Sequence, residues 1–178
     1  MTKEDNLIYS KNTLEFATVA VEYCGFIENA ATMSRMSFVD KATKLLPILY
    51  LKATLLPSLE EGGEELELSV TEAMYEAVVA RIAALMGEHD SFLDTFHTDM
   101  QYSDEPIAAF ISENLADVYQ DMGNFVSLFR TENEEVQLLA IAYCAENFRE
   151  YWGQRLLNAL KALHCVRYNR ELLDTEEA

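Results

Sequence analysis

Glycine, proline, cysteine and cationic side chains are all scarce in this chain of 178 residues. It holds six glycines and three prolines. A strand-rich domain needs a turn every few residues, so this shortage argues against an all-β architecture and favours helices. The three cysteines, Cys24, Cys144 and Cys165, are odd in number and widely spaced. They form no CxxC pair and no Cys/His cluster at zinc spacing, which excludes a disulfide framework and a zinc-ribbon-like fold. No apolar run is long enough to span a membrane: the Leu45 to Leu56 stretch is interrupted by Pro47 and Lys52 and falls short of the ~20 residues a span needs. Met1 to Ser10 carries Glu4 and Asp5 and lacks the basic start and apolar core of a secretory signal. The expectation is a cytosolic protein with reduced, mostly packed thiols.

The shortage of cations has the largest consequence. Thirty-one acidic side chains face 13 basic ones, a formal net charge of −18. Such a field repels nucleic-acid phosphates and anionic lipid headgroups, which disfavours direct binding to either. It attracts cationic partners, or it only keeps the protein soluble.

Apolar residues make up 50% of the chain and charged residues 25%, ordinary globular usage. A domain of this length buries ~70% of the surface of its unfolded chain and needs no metal or disulfide to hold together. The sequence has no internal repeat at a solenoid period. It reads as one helical domain over residues 1–178, with frayed tails at 1–11 and 171–178.

Hydrophobic periodicity predicts an all-α bundle of five or six amphipathic helices. The first runs from about Thr13 to Asn29, capped by Asn12, with Phe16, Val19, Ala20, Tyr23 and Ile27 on one stripe. The second starts after Ser37 and is apolar almost all round, which predicts a central helix, kinked at or split by Pro47. Residues 58–68 (SLEEGGEELEL) read as an acidic mobile loop. The third helix starts near Ser69 or Thr71, carries Met74, Val78, Ile82 and Leu85, and ends at Gly87. A short helix over Ser91 to Phe96 and a polar turn from Asp99 to Glu105 follow. The fourth helix starts at Ser103 or Asp104, with Pro106 in its first turn and a stripe from Ile107 to Phe129; Gly123 is a weak point inside it. The fifth runs from Asn133 to about Cys165 on a stripe of Ile141, Ala145, Phe148, Trp152, Leu156, Ala159 and Leu163.

Few residues carry recognisable chemistry. Helical di-metal sites use Glu-x-x-His pairs, and none exists here: His89, His97 and His164 are scattered. No nucleophile elbow or phosphate loop occurs. Glu113, Asp117 and Asp121 recur every four residues on the fourth helix. Helical geometry at ~100° per residue puts Glu113 and Asp117 on a solvated face and Asp121 on the boundary. Arg149 falls about 50° from the centre of the fifth stripe. An arginine so placed either snorkels or forms a buried ion pair, with Asp121 and Glu113 of the fourth helix as candidate partners.

Several strings carry a family likeness: Lys44 to Tyr50 (KLLPILY), Leu55 to Pro57 (LLP), Glu113 to Asp121 (ENLADVYQD), Trp152-Gly153, and Ala159 to His164 (ALKALH). The chain resembles an uncharacterised bacterial family, domain of unknown function five thousand and sixty-three, from its first helix to about His164. The resemblance implies an all-helical fold and no activity, so no catalytic residue is carried over. The family pattern has a histidine near the Trp-Gly pair, whereas Tyr151 and Gln154 flank it here; that weakens a histidine-based metal site.

The reading that results is a non-enzymatic interaction module with no cofactor. Its expected partner is a basic protein, met through the acidic loop (Glu60, Glu61, Glu64, Glu65) and the Glu113–Asp117 face. The alternatives are a carboxylate-based metal- or small-ligand-binding bundle, and an acidic mimic of nucleic acid.

Overall fold

The computed structural model describes residues 7–59, 65–94, 101–102, 104–169 and 171. Among these, six α-helices and one hairpin build a single core. They are α1 (Lys11–Glu28), α2 (Arg35–Thr54), α3 (Glu72–Met86), β1 (Ser91–Asp94), β2 (Ile107–Phe110), α4 (Ile111–Phe129), α5 (Glu134–Asn147) and α6 (Gly153–Arg167). A π-helical turn, Phe148–Trp152, joins α5 to α6.

The centre of the bundle is α4, which packs on α1, α3, α5 and α6. The expectation of a central α2 is corrected. That helix packs chiefly on α1 and α6, and Ile48 and Leu51 of its apolar circumference are exposed. Nor does Pro47 split it, since α2 runs unbroken from Arg35 to Thr54.

Local capping sets most helix starts. Ser10, not Asn12, caps α1: its hydroxyl accepts from the Thr13 amide. The Thr13 hydroxyl in turn donates to the Leu7 carbonyl at 2.8 Å, and Ile8 is fully buried. Residues 7–11 are therefore docked rather than frayed; residues 1–6 and 172–178 lie outside the described residues. Ser34 caps α2, one turn earlier than expected, Thr71 caps α3, and Asn133 caps α5. Gly87 closes α3 at φ +57°, the backbone geometry that favours glycine there.

The expectation of no sheet fails between α3 and α4. Residues 91–94 form a strand, not a short helix, and pair antiparallel with 107–110 in the register Ser91↔Phe110 to Asp94↔Ile107. The fourth helix accordingly begins at Ile111, not at Ser103 or Asp104. Asp90, 22 residues back from Ser112, does the capping. Its carboxylate accepts from the Ser112 amide at 2.7 Å and the Ser112 hydroxyl at 2.6 Å, and its carbonyl accepts from the Ile111 amide. A cap supplied across a hairpin leaves no local signature, which is why spacing rules miss it.

Aromatic rings weld α1, α4 and the π turn. Phe16 meets Phe125 edge-on at 5.0 Å and lies 6.4 Å from Trp152, which itself packs on Phe148 at 4.8 Å. Trp152, Phe16 and Tyr23 are fully buried. The Tyr23 hydroxyl meets its polar requirement by donating to the Leu115 carbonyl at 2.7 Å.

Candidate functional site

The carboxylates expected on a solvated face of α4 do not all lie there. Glu113 is exposed, but Asp117 and Asp121 are buried. The reason is that α4 is enclosed by four helices, so even its polar flank faces protein. Buried carboxylates require partners, and Asp117 draws them from three elements. The Tyr75 hydroxyl of α3 donates to Oδ1 at 2.9 Å, the Tyr151 hydroxyl of the π turn lies close enough to act on its charge, and Arg155 Nε of α6 lies 3.6 Å from Oδ2. The Arg155 guanidinium also sits over the Tyr151 ring, 5.1 Å from its centroid. Burial pushes the Asp117 carboxyl above its usual range, and the two tyrosines and Arg155 oppose that shift. Burial, then the charge of Asp117, pushes the Tyr151 hydroxyl up to about 12.

Asp121 sits one turn on and does not pair with Arg149. The Asn147 amide donates to its Oδ1 at 2.8 Å. Burial pushes its carboxyl up to about 6, the Asn147 bond lowers it, and the neighbouring Asp117 raises it further. Arg149 instead lies half exposed and bonds Glu146 at 2.7 Å. The expected buried Arg149–Asp121 pair is corrected on this point. Arg149 lies within the π turn, three residues after Glu146, and pairs with that neighbouring carboxylate on the exposed side of the helix, while the Asn147 amide takes Asp121.

The π turn has identifiable anchors. The Trp152 indole N–H donates to the Cys144 carbonyl at 3.0 Å inside the core. A Cβ on Gly153 would collide with the Phe148 carbonyl and ring, so the backbone path leaves room only for glycine at 153. π turns occur frequently at functional sites, and this one presents Tyr151 to Asp117.

Sequence spacing missed Tyr75, Tyr151, Asn147 and Arg155. The available signal was weak: Arg155 follows Tyr151 by four residues, a helical neighbour spacing. Asn124, also missed, accepts from the Ser69 and Val70 amides and pins the extended segment 65–70 to α4. Val70 then packs directly on Gly123, so the weak point in α4 is a contact site.

Among the described residues no three His, Cys, Asp or Glu side chains converge to hold a metal ion. Of the expected loop contacts, Glu65 is exposed, while Glu60, Glu61 and Glu64 lie outside the described residues.

Charge is segregated along the chain. Residues 57–147, which include α3, α4 and α5, hold 20 acidic side chains against only Arg81 and Arg130. The rest of the chain holds 11 of each sign and is neutral. That neutral part includes α1, α2 and α6. The entire net charge of −18 therefore belongs to residues 57–147, the acidic segment before α3 together with the elements from α3 to α5.

These features define a mostly helical, single-domain bundle with one small hairpin and a π turn ahead of its last helix. The chain belongs to the family described as Domain of unknown function (DUF5063), whose model matches residues 7–169. It is similar to a protein of Bacteroides fragilis solved by crystallography in a structural genomics programme. The two share 41% sequence identity with a TM-score of 0.81, over 92% of this chain and 96% of that one. Among curated proteins none matches the chain.

Proposed function

We propose that the protein is a non-enzymatic interaction module of the cytosol that meets a basic protein partner through the exposed carboxylates of α3 and the start of α4. The observation that carries the reading is the confinement of the whole net charge to residues 57–147. Glu72 and Glu76 are exposed on α3, one turn apart. Glu113 lies close enough to α3 to raise the Tyr75 hydroxyl electrostatically. Asp117 drops out of the contact set because it is buried against Tyr75. It serves instead to hold α3 against α4, which keeps the three glutamates in a fixed arrangement. The cytosolic assignment is supported by three free thiols, two of them buried.

Salt at ~0.15 M screens charge beyond ~8 Å, so the acidic surface acts at close range and mainly on association rate. The test is to isolate the partner and measure its association rate from about 50 to about 500 mM salt. A fall of about tenfold is expected. The triple variant Glu72→Lys/Glu76→Lys/Glu113→Lys should remove the salt dependence. A flat salt profile, or a rate unchanged in the triple variant, would reject the proposal.

A further inference from the structure

A cleft of about 380 Å³ opens between α1, the C-terminal half of α4 and residues 69–74. Its volume is in the range of small-ligand sites. Four observations point to an occupant.

The first is Gly25, in the middle of α1. A Cβ built there meets nothing within 4 Å, and the backbone is not in the left-handed region. No packing demands glycine at this position, yet glycine inside a helix costs ~1 kcal/mol relative to alanine. What the missing side chain does is leave the α1 wall of the cleft open. Gly123 on the facing wall differs, because a Cβ there would press on Val70.

The second is a pair of opposite charges that do not meet. Glu28 and Arg130 both line the cleft and both act on the Cys24 thiol, Glu28 raising its pKa and Arg130 lowering it. They form no ion pair with each other. The Tyr119 hydroxyl occupies Glu28 Oε1 at 2.9 Å, which leaves Oε2 available. The Arg130 guanidinium has no hydrogen-bond or ion-pair partner among the described residues.

The third is the apolar rim. Val21 and Met74 are 42% and 41% exposed, and both line the cleft. The fourth is the position of the charges. Arg130 is one of only two cations in the acidic stretch 57–147, and the other, Arg81, reaches the Ile27 carbonyl beside Glu28.

We propose that this cleft binds a free α-amino acid with an apolar side chain. Its ammonium pairs with Glu28, its carboxylate pairs with Arg130, and its side chain fills the space over Gly25 between Val21 and Met74. Such a ligand has no net charge, so the −18 of the protein does not repel it at a distance. A simple anion would be repelled, and a simple cation would leave Arg130 unused. Cys24 is a neutral wall of the site rather than a reactive group, since burial holds its thiol protonated. The site uses none of the three surface glutamates of the interaction reading, so either can fail alone.

The experiment is isothermal titration of the full chain with L-leucine, L-methionine and L-phenylalanine. N-acetyl-L-leucine and L-leucinamide serve as analogues that lack one charge each. At least one free amino acid should bind, with each analogue about tenfold weaker, the loss of one charged contact. Gly25→Leu should abolish binding while the melting temperature stays the same or rises. Arg130→Gln should weaken leucine about tenfold and remove the preference for leucine over leucinamide. Absence of binding by all three amino acids, equal binding of the analogues, or unchanged binding by Gly25→Leu would each overturn the proposal.

Discussion

The Tyr75 hydroxyl donates to the Asp117 carboxylate at 2.9 Å, tying α3 to the central helix α4 through a buried charge. Arg155 approaches the other carboxylate oxygen at 3.6 Å, so one side chain of α4 links α3 and α6. Tyr75→Phe deletes a hydrogen bond to an ionised group while keeping the ring. The expected cost is about 1–2 kcal/mol at pH 8, a lower value than for a fully buried site because Tyr75 is half-buried. Asp117 is raised by burial and lowered by this bond, so its removal raises the carboxyl further. The cost should shrink as pH falls and the carboxyl, raised by burial, takes up its proton. Urea unfolding of both proteins at about pH 8 and about pH 4 measures this. An equal loss at both values would show that the bond does not act on the charged form.

Asp121 predicts a pH dependence of the opposite sense to that of a salt-bridged carboxylate. Its folded pKa of about 6 lies above the ordinary 3.8. The folded state therefore binds the proton more tightly than the unfolded chain. Stability from this group is full below pH ~4 and is lost as pH rises toward ~6, by about 3 kcal/mol. Asp121→Asn keeps an acceptor for Asn147 and cannot ionise. It should unfold at higher temperature than the native protein at pH 8 and at nearly the same temperature at pH 4. A difference in melting temperature that does not change with pH would remove Asp121 as the titrating group.

Trp152 is fully buried against Phe148 and Phe16. Trp152→Ala should cost about 3–5 kcal/mol, as large aromatic truncations do. Trp152→Phe keeps most of the volume but removes one of two donors to the Cys144 carbonyl, which accepts from the indole N–H at 3.0 Å and from the Phe148 amide. Its cost should be about 1 kcal/mol, read from chemical denaturation. A Trp152→Phe variant as stable as the native protein would mean that the Phe148 amide alone satisfies the carbonyl.

Two glycines should respond in opposite directions to the same substitution. Gly25→Ala adds a methyl group into open space on a regular helix and should stabilise by up to about 1 kcal/mol. Gly153→Ala drives a methyl into the Phe148 carbonyl and ring, and the π turn must open to receive it. That variant should lose at least about 2 kcal/mol, with the overpacking and an opened backbone turn adding together. Thermal melts of the two variants in one buffer decide the matter; equal and small shifts would discount the close packing at Gly153.

The amino-acid sequence by itself determined the class of this protein. Scarce glycine and proline and long stripes at helical spacing specify helices, because a chain must bury its apolar face whatever surrounds it. The stripe from Ile141 to Leu163 survives the π turn almost intact, with Trp152, Leu156 and Ala159 all buried where spacing places them. The likeness of KLLPILY and the Trp-Gly pair to a known family was legible for the same reason: both strings answer local backbone and packing demands. Tertiary structure alone decided which helix is central. Periodicity reports how wide an apolar face is, but not how many neighbours a helix has, so α2 looked central and α4 is. It also decided the fate of the carboxylates, since four helices close over Asp117 and Asp121 and convert a polar flank into an interior. The hairpin, with the α4 cap it brings from Asp90, was invisible for a related reason. Two four-residue strands carry too little alternation to register, and a cap 22 residues from the amide it serves is made by folding, not by sequence proximity.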